Sequence, residues 1–153
     1  MKHFIQSTLA LVLLAAVSFP AVAGSNPGNQ IAGFWDATAT VSTPDGDFEL
    51  PPSHASMTRD GGMTVNSPGG SATGGWKRIF GRFYDITFVS FDALSEDVFL
   101  KVTVNATVEL SADGQQFIGP FRTSGVQLDA SGETLLFVLE GTVEAERVPI
   151  SGF

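Results

Sequence analysis

The 153-residue sequence predicts an all-β fold, an eight-stranded antiparallel up-and-down β-barrel. Three observations carry that prediction. Apolar residues recur at a spacing of two while helical spacing is almost absent. Short turns containing Gly punctuate the alternation at hairpin intervals. Few segments remain to cover the edges of an open sheet and none is a helix, so closure into a barrel is how the chain avoids exposing unpaired backbone.

In chain order the strands fall near 31–41, 47–58, 62–67, 74–80, 82–92, 97–110, 115–128 and 133–148. Pro44-Asp45-Gly46 turns the first into the second, and Pro51-Pro52 then interrupts that second strand. Proline donates no ladder hydrogen bond, so a bend or bulge is expected there. Asp60-Gly61-Gly62 turns the second strand into the third. Asn66 to Gly75, rich in Gly, Ser and Pro, reads as a flexible loop at a barrel mouth. In the fifth strand both parities from Arg82 onward are mixed, and the pattern does not decide which side faces in. The sixth is the clearest: Val98, Leu100, Val102, Val104, Ala106, Val108 and Leu110 share one parity, with Lys101, Thr103, Asn105, Thr107 and Glu109 on the other. One dry and one wet face is the mark of an antiparallel sheet. Ala112-Asp113-Gly114 and Ala130-Ser131-Gly132 close the last two hairpins, where Gly accepts a positive φ that other residues resist. Leu135 to Leu139 is apolar on both parities and Phe99 looks outward. Large bare apolar faces are rare on monomers, which predicts either a homo-oligomer or cover by the N-terminal segment Ser25 to Ile31.

The N-terminus reads as a targeting segment. Lys2, an apolar run from Leu9 to Val17 and the small residues Ala21-Val22-Ala23 have the layout of a bacterial-type secretory signal peptide, residues 1–23. The run is too short to span a membrane, which takes about 20 residues. The predicted organisation is therefore a leader, an N-terminal extension at 24–30 and a single barrel domain at 31–153, exported to the periplasm or beyond. Cys is absent, which removes thiol chemistry and disulfide support, so packing and strand pairing must hold the fold. Without Lys2 the chain carries 7 basic and 16 acidic residues, a net charge of −9 that disfavours nucleic acid and anionic membranes as partners.

Gly33-Phe34-Trp35 on the first strand and Arg147 at the end of the last resemble the lipocalin-like (calycin) barrels over roughly Ile31 to Val148. The resemblance implies a structural latch, with Trp35 across the closed barrel end and Arg147 packed over it as a cation–π pair. It implies a lipocalin-like barrel that binds a small apolar or amphipathic ligand. No Thr-Asp-Tyr motif follows and only five residues lie beyond Val148, so the C-terminal helix of typical lipocalins has no counterpart. The chain is similar, more distantly, to the compact allene oxide cyclase and dirigent barrels.

The candidate ligand-binding residues are Trp76, Tyr84, Phe88, Phe137, Glu140 and Arg122. Tyr84, Ile86 and Phe88 pointing inward would make an aromatic wall with one hydroxyl, as small-molecule pockets are built; the same residues could simply fill the core of an eight-stranded barrel. Arg122 and Glu140 interrupt apolar strands, facing outward by alternation or forming a buried charged pair of the sort found at binding sites. His54 is the one His beyond the leader and would act as acid or base only beside Tyr84, Asp85 or a Glu. The Asp45-Gly46-Asp47 and Ser95-Glu96-Asp97 turns have too few oxygens for calcium and read as turn formers, so neither a metal nor a cofactor is expected. Three functions remain in play: a binding protein for a small apolar ligand, a cyclase or isomerase using Tyr84, Glu140 or Arg122, and a filled structural barrel.

Overall fold

A computed structural model of the protein describes residues 30–150. The leader assigned to 1–23, positions 24–29 of the extension and the last three residues lie outside them. Nine strands follow one another: β1 (Gly33–Thr43), β2 (Gly46–Glu49), β3 (Ser53–Met57), β4 (Gly62–Ser67), β5 (Gly70–Phe80), β6 (Phe83–Ser95), β7 (Val98–Leu110), β8 (Gln116–Asp129) and β9 (Gly132–Arg147). Each is antiparallel to its neighbours, and β1 pairs with β9 from Trp35↔Arg147 to Ser42↔Glu140, closing the cylinder. The fold is an all-β, eight-stranded, up-and-down barrel with one extra short strand.

The extra strand comes from the two prolines. Thr40 stands opposite Glu49, and three residues earlier Ala37 stands opposite Ser53, so the partner strand carries one residue too many between these points. Leu50 still donates to the Ala39 carbonyl at 2.8 Å, after which Pro51 and Pro52 have no N–H to offer. The expected single strand at 47–58 is thus β2 and β3, divided by a bulge. Asn66 to Gly75 also differs from expectation. Asn66↔Ser71 and Ser67↔Gly70 are paired, so most of this stretch is hairpin and only Pro68 and Gly69 form the turn. Composition signals the turn correctly, but ladder hydrogen bonds recruit its polar flanks.

Interior positions alternate as a barrel requires: Trp35, Ala37, Ala39 and Val41 on β1, Tyr84, Ile86 and Phe88 on β6, Val104, Ala106, Val108 and Leu110 on β7. Gly119 on β8 and Gly141 on β9 lie where a neighbouring strand crosses closely; a Cβ at either would overlap the carbonyl oxygen of Thr107 or Thr40. Such inward glycines let strands bend tightly around a small cylinder.

The two barrel ends differ. At one, the start of β1, the 81–82 and 111–115 turns and the end of β9 converge on Ile31, Trp35, Leu110 and Phe117, all buried. At the other, two hairpins run past the barrel. β5 pairs with β6 only as far as Val89, and β9 pairs with β1 only from Glu140 onward. Residues 90–103 and 124–139 therefore continue as a four-stranded flap above that mouth. Its outer face bears the exposed side chains of Phe91, Phe99, Leu135 and Val138. Of the segment expected to cover such a face, Ile31 is buried at the opposite end, where its carbonyl accepts from Trp35.

Candidate functional site

The closed end is built around Trp35 and Arg147. The guanidinium lies 4.3 Å from the indole centroid, and the two residues are direct cross-strand partners in the closing β1–β9 ladder. Trp35 Nε1 donates to Ile31 O at 2.9 Å and its ring meets Phe117 at 4.8 Å. Arg147 spreads its donors over three carbonyls: Nε to Gly114 (2.7 Å), Nη1 to Ala32 (2.8 Å) and Nη2 to Gln30 (2.6 Å). One planar fork thereby ties the N-terminal approach, a hairpin turn and the last strand together. Burial lowers the Arg147 pKa, though a guanidinium remains charged in any protein setting.

Above this seal, Trp76 and Tyr84 pack edge to face at 5.8 Å. The Trp76 indole donates to Thr58 O at 3.0 Å. Tyr84 is wholly buried and its hydroxyl has no hydrogen-bond partner among the described residues. Desolvation raises its pKa, with the positive charge of Arg78 pulling weakly the other way.

Toward the flapped mouth the interior opens into a cavity of about 420 Å³, within the range of small-molecule sites. Its wall is apolar: Ala39, Val65, Phe88, Val104, Phe121 and Leu139 are representative. Ser53, Ser67 and Thr123 supply the hydroxyls, and among the described residues no Asp, Glu, His, Lys or Arg contributes. The void follows from side-chain size. Eight strands enclose a space that large side chains can fill. Here Ala37, Ala39, Ala55 and Ala106 occupy inward positions, and Gly141 offers no side chain.

The residues proposed from sequence separate into three groups. Phe88 and Phe137 line the cavity. Trp76 and Tyr84 also face inward but belong to the filled part of the barrel, outside the cavity wall. The stretch that holds Trp76, Tyr84 and Phe88 is thus core at one end and pocket at the other. Arg122 and Glu140 are opposite each other on β8 and β9 and both point to solvent, so neither lines the cavity. Alternation explains this, since each sits between inward neighbours, Phe121 and Thr123 in one case and Leu139 and Gly141 in the other.

His54 also faces solvent, its side chain 74% exposed. Its Nδ1 lies 2.5 Å from Oδ1 of Asp36, the residue opposite it on β1, rather than beside Tyr84, Asp85 or a Glu. Asp85 instead accepts from Thr107 at 2.9 Å on the outer wall. The cavity residues that sequence reading missed include Val65, Val104, Phe121 and Leu139 as well as the small ones and Thr123. A signal for the small ones and Thr123 exists: Ala or Thr at the inward parity where neighbouring strands carry Val, Leu or Phe.

Compared with known proteins, the sequence matches no family model and no curated protein, and no solved structure matches the chain.

Proposed function

We propose that this protein is an exported carrier that holds a small apolar molecule inside its barrel. The observation that carries the reading is the open-ended cavity of about 420 Å³, whose wall has no charged side chain among the described residues. Apolar ligands enter such a site by shedding hydration, about 25 cal/mol per Å² of surface buried. At roughly 30 Å³ per water-sized group, the space takes on the order of fourteen such groups. The latch at the opposite end supports placement among the lipocalin-like barrels, and the leader-like residues 1–23 support export. A cyclase or isomerase needs titratable groups converging on the reacting atoms, and the described residues of this cavity wall offer only hydroxyls.

The test is titration with N-phenyl-1-naphthylamine, an uncharged dye that brightens in apolar surroundings, alongside native mass spectrometry of protein purified from its own host. Saturable binding of one dye per chain is expected. Ala39→Phe and Val104→Phe, each filling the cavity from a different wall, should abolish it while preserving the β-sheet circular dichroism spectrum. Binding that survives both fillings places the dye elsewhere and overturns the reading, as does no binding at all.

A further inference from the structure

We propose that the ligand is uncharged and carries one hydrogen-bonding group, a hydroxyl or a carbonyl, that pairs with the hydroxyl of Thr123. This rests on the carrier reading and specifies its ligand. Thr123 lines the cavity, is only 7% exposed, and its Oγ1 has no hydrogen-bond partner among the described residues. The side chains that flank it on the inner wall offer none. Its cross-strand neighbours are Val104 on β7 and Leu139 on β9, and the flanking inward positions on β8 are Phe121 and Gly125. Leaving a buried hydroxyl unpaired costs about 1–3 kcal/mol, whereas Val of the same shape would carry no such cost. In this structure Oγ1 is itself buried, and a χ1 step of about 120° carries it into the place its methyl now holds, the rotamer in which the ligand would meet it.

The other cavity hydroxyls are less suited. Ser67 Oγ donates to Gly70 O at 3.4 Å within its own turn, and Ser53 begins β3 beside the proline bulge. Thr123 is therefore the polar anchor on the wall.

The exclusion of charge follows from the same wall. An ionised head group drawn inside would be stripped of water with no counter-ion to meet it, at a cost of several kcal/mol. Arg122, the cation nearest to Thr123 along the chain, projects outside the barrel. Above the mouth the flap carries acids, Asp92 and Asp129 among them, which repel a carboxylate held at the rim.

The experiment is displacement of N-phenyl-1-naphthylamine by 1-decanol, 2-decanone, n-hexylbenzene, decanoate and decylammonium, on the wild-type chain and on Thr123→Val and Thr123→Ser. Thr123→Val should weaken decanol and decanone about fivefold, the effect of one net hydrogen bond, and leave hexylbenzene unchanged. Thr123→Ser should restore both oxygenated probes. The ligand-free Val variant should melt no lower than wild type, since it loses only an unpaired group. Decanoate and decylammonium should bind at least tenfold more weakly than decanol. The proposal is overturned if Thr123→Val shifts the alcohol and the hydrocarbon alike, if it shifts neither, or if either ion matches decanol. Tight decylammonium binding would mean that the rim acids select a cation. Failure of every probe on the wild-type chain instead removes the carrier reading itself.

Discussion

Replacing Arg147 by Ala tests whether the closed end holds the barrel shut. The side chain makes three hydrogen bonds to carbonyls and one cation–π contact. The bond to Gln30 is exposed and counts for little, while those to Gly114 and Ala32 are partly buried and contribute about 1.5 kcal/mol each at the low end of the charged range. The indole contact adds about 1 kcal/mol. Freeing a long side chain returns about 1.5–2 kcal/mol of rotamer entropy to the balance. The net loss is about 2–2.5 kcal/mol. With a urea slope of about 1.5–2 kcal/mol per molar for a domain of this size, the midpoint should fall by about 1.3 M. Equilibrium unfolding followed by tryptophan fluorescence measures it directly, because Trp35 lies under the guanidinium. Arg147→Lys keeps a cation near the ring but loses the planar fork, and should recover less than half of the loss. Affinity for an apolar dye should hold in both variants while they are folded, since the cavity opens at the other end. A midpoint shift below about 0.3 M for the Ala variant, the size of an ordinary surface change, would refute the latch.

Arg122→Ala and Glu140→Gln should each change stability by less than about 0.5 kcal/mol and leave dye affinity untouched, because both side chains lie on the outer wall; denaturant midpoints and dye titrations on the two variants check this. Tyr84, the only tyrosine in the chain, should ionise above the ordinary tyrosine range in the folded state because burial disfavours the phenolate, as read by absorbance near 295 nm. Its folded pKa is raised above 10.0, so its contribution to stability is fully present below that pH and is lost as pH rises through the folded value; a tyrosine titrating normally without unfolding would contradict its burial.

The barrel was legible in the sequence because strand periodicity and turn chemistry are local. Val98–Leu110 emerges as β7 with the expected bounds and the expected face inward. Closure was legible as well, through the lack of anything to cover an edge, and it appears as eight paired positions between β1 and β9. The site was only half legible. Aromatic residues draw attention in a sequence, yet Trp76 and Tyr84 plug the barrel while Phe88 and Phe137 line the space above. Their depth depends on where each strand sits along the barrel axis. That stagger is set by cross-strand register, which alternation within one strand does not report. The proline pair shows the same limit: its bulge was predictable, but the division of one strand into two depended on which backbone bonds β1 could still make.

The unequal ends suggest why one half of the barrel can be hollow. Extrapolating about 24 cal/mol per Å³ to an empty 420 Å³ gives an upper limit of about 10 kcal/mol, as large as the whole stability of a typical domain. Access to water at the mouth reduces that cost but leaves apolar walls wet. A chain under pressure only to fold could replace Ala37, Ala39, Ala55 and Ala106 with larger side chains and recover much of it. Here both tryptophans and Tyr84 fill the sealed end with Leu110 and Phe117 beside the Arg147 fork, while Phe88, Phe121 and Phe137 line the cavity. Stability concentrated at the latch lets the mouth remain unfilled. An apolar guest that displaces water from those walls would then supply the packing that the alanines leave out.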